Sequence, residues 1–360
     1  MTIYMPPIGL PRSQRAIKVS IDGVPTTSEG DLPQVGEEEV LVRVVYVALN
    51  PVDSKSVEMS PTHGATVGCD FAGEVVQMGK AVSTVTLGAR VCGCVFGNNP
   101  MRPDNGAFAE YVAVPARLVL VVPPTMPYQS AATLGVGLAT VGLALHQEMR
   151  LKCTPSAPAK KGFPVLVSGA GTATGALATQ ILTLSGLQPI VTSSPSSFDR
   201  LRRLGAVATF DYQSPTCGSD IREYTANELG YALDCHSDSG SMTICYNAIG
   251  SDGGRYAALN PFPLRVHRRR SVQPGWVFMF TQFDQTIPWK RPYYRNERPQ
   301  DYRFATGWYE EMQELLEAGT LVPSPYIEQT GGLDAIVRGL EAMGRGEIRG
   351  RKWVYAIGKE

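Results

Sequence analysis

Two segments of this 360-residue chain combine residue types and spacings that can do chemistry. Residues 163–176 read FPVLVSGAGTATGA, with glycines at 169, 171 and 175. The apolar half predicts a strand and the Ala-rich half a helix. Glycines at such a turn let backbone N–H groups approach a pyrophosphate, whose charge the helix N-terminus favours. The spacing G-x-G-x-x-x-G is one residue longer than the commonest fingerprint, and a tight glycine turn without a ligand has the same letters. The strand–loop–helix setting and the further βα units favour a dinucleotide. The second segment follows about 20 residues on, where an NAD enzyme usually places an acid for the ribose 2′-hydroxyl. Residues 192–197 read TSSPSS, and no acid comes before Asp199. Hydroxyls and Arg200 can donate to a 2′-phosphate that an acid would repel. The cofactor read from these residues is NADPH. Ser196 or Ser197 can also cap the next helix, and a capped helix start attracts an anion as well.

Other chemistries find less support. The seven cysteines (69, 92, 94, 153, 217, 235 and 245) form no C-x-x-C pair, so a zinc ribbon or thioredoxin-like site is disfavoured and reduced cytosolic thiols are expected. Thirty-three basic and 33 acidic side chains cancel, which argues against nucleic acid as a partner. Met1 to Arg15 holds three prolines and no apolar run, unlike a signal peptide or anchor. No stretch is expected to reach the roughly 20 apolar residues of a spanning helix, so no membrane partner is expected either.

The elements that must position these residues fall into two domains, as the length suggests. The first third is β-rich: Val40–Ala48, Phe71–Met78 and Ala107–Val114 read as strands between glycines and prolines. Ala131–Met149 reads as a helical connector, and the Pro-rich 152–162 as a loop between domains. From Phe163 strands and helices alternate: strands Phe163–Ser168, Pro189–Ser193, Ala208–Tyr212, Tyr231–Cys235 and Arg255–Leu259, with helices Ala176–Ser185, Ser197–Leu204 and Ser241–Ile249. Such repetition implies a parallel sheet with right-handed crossovers. Trp308–Ala318 reads as a helix and Lys352–Ile357 as a last strand that returns to the first domain. The fold class is α/β. Residues 1–155, completed by 308–360, are expected to form a β-rich domain, and 156–307 a doubly wound Rossmann domain.

Leu49-Asn50-Pro51-Val52-Asp53-Ser54-Lys55, Val67 to Val76 (VGCDFAGEVV), Ala89-Arg90-Val91, Gly106 to Tyr111 (GAFAEY) and the glycine loop resemble the medium-chain dehydrogenase/reductase superfamily. That resemblance implies a GroES-like catalytic domain interrupted by a Rossmann domain. The zinc enzymes of the superfamily carry cysteine where this chain has Asn50 and Val136, and histidine where it has Cys69. One thiol cannot hold a tetrahedral zinc, so no metal is expected. More narrowly, Lys55 after NPVDS, the GAGTATG loop, Ser194 to Asp199, Phe210 to Tyr212, Tyr231 to Cys235 and Leu259 to Pro263 (LNPFP) resemble the trans-acting, lovastatin-type enoyl reductases of fungal polyketide biosynthesis. Gly175 departs from the alanine of the relatives.

What the resemblance implies is NADPH-dependent reduction of an enoyl thioester carried by the acyl carrier protein of a partner polyketide synthase. It points to Lys55 and Thr140 near the thioester carbonyl. Lysine supplies a positive donor to a developing oxyanion; a surface lysine is otherwise solvated, and a core threonine otherwise bonds its own helix. The cofactor positions are Val52, Asp53, Ser54 and Lys55 at the nicotinamide, and Thr172, Ala173, Thr174 and Gly175 at the phosphates. Ser194, Pro195, Ser196 and Ser197 take the 2′-phosphate, Tyr212 the adenine, and Leu259 and Asn260 the nicotinamide ribose. Ile348 and Arg349 make a final contact. The substrate positions are Val141, Gly142, Leu143, Ala144, Leu145, His146, Gln147 and Glu148, with Phe278, Met279, Phe280, Thr281 and Gln282. Two alternatives stay open: a zinc-free quinone oxidoreductase acting on free small molecules, and a non-catalytic NADPH-binding partner of a synthase. Arg265 to Arg270 (RVHRRR) is either a solvated loop or a docking patch for an acidic carrier protein. Trp276, Phe278, Phe280 and Phe283 either line an acyl pocket or pack on the sheet. A cytoplasmic monomer is expected.

Overall fold

The computed structural model describes residues 9–357, so the first eight residues of the Met1 to Arg15 segment lie outside the described part. The chain forms two compact units, one running to Val136 and resuming at Phe280, the other Gly137–Met279.

The first unit opens with the hairpin β1 (Ser13–Val19) and β2 (Pro25–Asp31). β3 (Glu39–Ala48) is the β-branched run of the sequence, covered on both faces as its lack of alternation implied. It is followed by the nine-residue helix α1 (Pro51–Met59) and by β4 (Asp70–Met78), β5 (Arg90–Cys94), β6 (Tyr111–Pro115) and β7 (Val119–Val121). The expected strand from Ala107 starts only at Tyr111. The amides of Ala107 and Phe108 turn aside to the carbonyls of Gly68 and Val67, which takes them off the ladder. α2 (Tyr128–Ala131) closes this half of the unit.

α3 (Gly135–Gly142) carries the chain into the second unit and continues as a π-helical turn over Leu143–Glu148. Together Tyr128–Glu148 is a 21-residue run long and apolar enough to cross a membrane, contrary to the expectation that none existed; most of it is buried inside the protein. The second unit then builds β8 (Pro164–Ser168), α4 (Ala173–Leu184), β9 (Gln188–Ser193), α5 (Phe198–Arg203), β10 (Ala208–Asp211), α6 (Cys217–Tyr224), β11 (Tyr231–Asp234), α7 (Ser239–Ala248), β12 (Gly254–Ala258) and β13 (Val272–Trp276). All six strands pair in parallel in the order β10-β9-β8-β11-β12-β13. The order reverses beside β8, which puts the glycine loop at the switch point where such sheets take ligands.

The units divide at 136/137 and 279/280 rather than at 155/156 and 307/308. The Pro-rich loop 152–162 therefore lies within the second unit. Its Ala159 amide donates to Ser185 O at the end of α4 (2.9 Å), which ties it to the Rossmann sheet. The first unit resumes through α8 (Pro299–Glu317), which begins nine residues before the expected Trp308 because Pro299 starts the helix at its N1 position. β14 (Tyr326–Gln329), α9 (Gly332–Gly344) and β15 (Lys352–Ala356) follow. β15 pairs antiparallel with β3, placing Val354 opposite Ala48. The seven-stranded sheet so completed runs β14-β15-β3-β4-β5-β7, with β6 also on β3.

α9 lies against β15 through Gly339, where a Cβ would meet the Tyr355 hydroxyl and come within 2.8 Å of Leu49 Cδ1. We predict that Gly339→Ala destabilises the protein and that Tyr355→Phe relieves part of the loss. A double-mutant cycle by denaturant unfolding should give a coupling of about 0.5–3 kcal/mol; simple additivity would contradict this packing.

Candidate active site

α1 places Lys55. Pro51 at its first position fixes a helical φ, and Asp53 Oδ2 accepts from the Asn50 amide (2.7 Å). Asp53 is fully buried, and the loss of water raises its carboxyl to about 7; the Cys69 thiol beside it is pushed up well above its usual range for the same reason. The Asp53 side chain thus serves the start of the helix and faces inward, whereas Lys55 is exposed and has no partner among the described residues. Val52 and Ser54 are half-buried. Ser54 Oγ lies 3.2 Å from where a Cβ on Gly344 would be, so α1 abuts the end of α9. Ile348 packs on the core of this unit just beyond, while Arg349 is exposed and donates to Gly346 O (3.2 Å).

Behind α1 lies a closed polar network. Lys352 Nζ pairs with Asp70 Oδ2 and donates to Asn50 Oδ1 (2.8 Å); Asn50 Nδ2 donates to Asp70 Oδ2 (2.9 Å); the Val136 amide donates to Asp70 Oδ1 (2.6 Å). Asp70 is 0% exposed and Lys352 6%. Both residues that stand at the zinc-enzyme cysteine positions, Asn50 and Val136, are therefore bound to one carboxylate. Among the described residues no group of three or more His, Cys, Asp or Glu is placed to hold a metal. The sequence reading missed this network because Lys352 stands 282 residues from Asp70.

In the second unit Gly169 sits at φ +76°, and a Cβ on Gly175 would lie 2.5 Å from Gly169 O, so only glycine lets α4 start this close to β8. Thr172 caps α4: its hydroxyl accepts from the Gly175 amide (3.0 Å) and donates to Gly169 O (2.9 Å). The amides of Gly171, Ala173 and Thr174 have no acceptor among the described residues, which makes the loop an anion cradle. The expected serine cap of α5 is not made by a side chain; a 3₁₀ turn over Pro195–Ser197 precedes the helix. Ser197 Oγ instead lies 3.5 Å from where a Cβ on Gly171 would be, with Ser193 Cβ at 3.7 Å. Arg200 reaches the same place, donating to Gly171 O (3.0 Å), and burial lowers its pKa. No described carboxylate pairs with it; Asp199, its neighbour in sequence, bonds Arg202 instead (3.2 Å). Tyr212 is exposed at the end of β10, and Leu259 and Asn260 follow β12, their amides both donating to Ser237 Oγ (3.0 and 3.1 Å). These residues fit a nicotinamide dinucleotide: glycines where side chains would block the loop, free amides for phosphate, and an unpaired guanidinium.

The substrate positions are more deeply set than channel walls need be. Val141 to Leu145 are buried on α3 and the π turn, with Thr140 8% exposed; His146, Gln147 and Glu148 are half-buried, and His146 Nδ1 donates to Leu151 O (2.9 Å). Met279 and Thr281 are buried, and Phe278 is half-buried against Trp276 (5.6 Å between rings). Phe280 is fully buried and stacked on Phe96 (4.3 Å), and Gln282 Nε2 donates to Cys94 Sγ (3.2 Å). Of the aromatic run, Phe280 and Trp276 pack into cores. The basic cluster divides too. Arg269 donates to the carbonyls of Tyr246, Ile249 and Gly250 at the end of α7, and His267 Nδ1 bonds the Tyr246 hydroxyl (2.8 Å), so these two hold structure.

Comparison with known proteins agrees with this geometry. Residues 36–124 match the alcohol dehydrogenase GroES-like domain. The solved CurK enoyl reductase shares the fold, with a TM-score of 0.75 at 18% identity over 97% of this chain and 100% of that one. The chain is 53% identical to trans-enoyl reductase opdC of Penicillium oxalicum (strain 114-2 / CGMCC 5302), covering 97% of this chain and 98% of that protein. It is 49% identical to trans-enoyl reductase iliB of Neonectria sp. (strain DH2), covering 98% of each. The chain belongs to the trans-enoyl reductases of the medium-chain dehydrogenase/reductase superfamily.

Two consequences can be measured. Lys352→Met leaves the Asp70 charge buried without its cation and should cost about 3–5 kcal/mol of unfolding free energy. Replacing both partners by apolar residues should recover much of that. Asp53 is held protonated in the folded state but ionises near its ordinary value when unfolded, so the folded state binds the extra proton. Stability should therefore fall as pH rises from about 4 to about 7, by up to about 1.4 kcal/mol per pH unit. Asp53→Asn should lack this slope, as denaturation at several pH values will test.

Proposed function

We propose that the protein is a trans-acting enoyl reductase that uses NADPH to reduce the α,β double bond of a polyketide thioester on the carrier protein of a partner synthase. The observation that carries the reading is Lys55: a lysine without a partner among the described residues, fixed on a capped helix, in a chain about half identical to named trans-enoyl reductases over nearly its whole length.

When bound, the reduced nicotinamide supplies a hydride for the β-carbon. The chain must then stabilise the negative charge that develops on the thioester oxygen. Lys55 is assigned that role, and Thr140 a second donor role. Asp53 orients α1 by holding the Asn50 amide, so the position of Lys55 depends on a buried group rather than on a loop. The α-carbon then takes up a proton.

The preference for NADPH is supported by Arg200, half-buried beside Ser193 and Ser197 with no carboxylate among the described residues to neutralise it. A 2′-phosphate supplies the missing charge, and an NADH ribose does not. Loops with exposed Arg265, Arg268 and Arg270 are available to an acidic carrier protein. Seven free cysteines suit a reducing cytoplasm. We take the active form to be a monomer that needs neither nucleic acid nor membrane.

NADPH oxidation with a short enoyl thioester should be fast in wild type. Lys55→Ala should reduce kcat about 10²–10³-fold, the usual loss for one oxyanion donor. Turnover of quinones but of no enoyl thioester would overturn the reading. Arg200→Ala should raise the Kd for NADPH by about 10-fold or more and leave NADH binding unchanged; equal weakening of both would contradict the 2′-phosphate assignment.

A further inference from the structure

The turn that follows β11 belongs to none of the sites assigned so far, yet it touches two of them. Asp234, 0% exposed, ends β11 and accepts four hydrogen bonds. Its Oδ1 takes the amides of His236 (3.0 Å) and Ser237 (3.0 Å), and its Oδ2 takes the hydroxyls of Ser241 (2.8 Å) and Tyr256 (2.7 Å). A buried carboxylate with four donors is fully satisfied, so the turn it organises is rigid. Ser237, at φ +67°, then directs its Oγ to the amides of Leu259 and Asn260. His236 is turned the other way, onto the glycine loop. A Cβ on Gly169 would lie 2.6 Å from His236 Cδ2 and 2.9 Å from Nε2. The imidazole therefore occupies the space that a side chain at 169 would need. It is exposed, and its ring nitrogens have no hydrogen-bond partner among the described residues.

β8 and β11 are neighbours in the parallel sheet, with Ser168 opposite Asp234. The dinucleotide crosses the carboxyl ends of these strands. Ser193, Ser197 and Arg200 lie on the β9 side and would receive the adenosine half, so a group at the end of β11 faces the other half. We propose that His236 is a further cofactor-binding residue, which donates a ring N–H to the nicotinamide half of NADPH, at its phosphate or ribose hydroxyls. Asp234 is its positioning residue, because the carboxylate sets the turn that fixes both His236 and the Leu259–Asn260 segment. This assignment rests on the NADPH reading above.

The test compares binding of NADPH with binding of 2′,5′-ADP, which carries the adenosine half and no nicotinamide ribose. Affinities can be measured by calorimetry or protein fluorescence, without turnover. His236→Ala should weaken NADPH binding about 10-fold, as for loss of one good donor to a charged group, and leave 2′,5′-ADP binding unchanged. His236→Gln, which keeps a donor, should recover part of the loss. Asp234→Asn should weaken NADPH binding in the same direction with His236 intact, and far-ultraviolet circular dichroism will show whether that variant is folded. Unchanged NADPH binding in His236→Ala overturns the proposal. Equal weakening of both ligands overturns it too, since that pattern means a collapsed glycine loop. If wild type binds NADPH no better than NADH, the NADPH reading itself fails; the comparison of His236→Ala with wild type on NADH then still decides the role of the ring.

Discussion

A single buried carboxylate organises the first unit. Asp70 is placed by β4, and it gathers a lysine from the last strand, an amide side chain from the start of α1 and a backbone amide from the start of α3. Burying one charge alone would cost several kcal/mol, and the pair is stable only when the geometry is good and every remaining lone pair is used. That requirement explains the closure of the network: Asn50 both donates to Asp70 and accepts from Lys352, so no member is left wanting. It also explains how a unit interrupted by more than 140 residues is completed. β15 adds the buried Val354 and Tyr355 to the core, its first residue is the cation that Asp70 needs, and its following residues pair with β3.

The same network bears on the chemistry. Asn50 is the residue before α1, and the helix that carries Lys55 begins from it. Holding Asn50 between Asp70 and Lys352 therefore fixes the root of the helix, and Asp53 fixes its first turn. Among the described residues Lys55 itself is left without a partner, as the role proposed for it requires. Rigid support behind a free cation is the arrangement that electrostatic stabilisation of a transition state calls for. In the second unit Asp234 plays a comparable part. Four donors converge on it, and the turn so formed reaches both the glycine loop and the Leu259–Asn260 segment.

Much of the fold was legible where the signal is local. β3 showed as an unbroken β-branched run, and the parallel sheet showed as strands and helices in alternation. The glycine loop lay within 14 residues of sequence, and the missing acid after β9 could be read directly. Signals failed where a local preference was overruled by a partner elsewhere. Ala107 and Phe108 have the composition of a strand, but their amides go to Val67 and Gly68. Ser197 has the type and place of a helix cap, but its hydroxyl stands beside Gly171. The Pro-rich stretch 152–162 looked like a linker and is bound to the end of α4. α1 passed unread as a helix because nine residues with a proline and two serines carry no strong periodicity.

The sequence by itself determined the class of fold, the dinucleotide loop, the lack of a ribose acid and the family to which Lys55 belongs. Each of these depends on residue type within a short window, where backbone geometry and charge act between near neighbours. Only the tertiary structure decided where the units divide, that Asp70 and Lys352 are one ion pair, that Arg200 lacks a carboxylate among the described residues, and that His236 covers Gly169. Those facts depend on which side chains are brought together across strands, and on which are left unpaired once water has been excluded. Residues 282 positions apart have no local signature, and a charge reveals its role only when its neighbours are known.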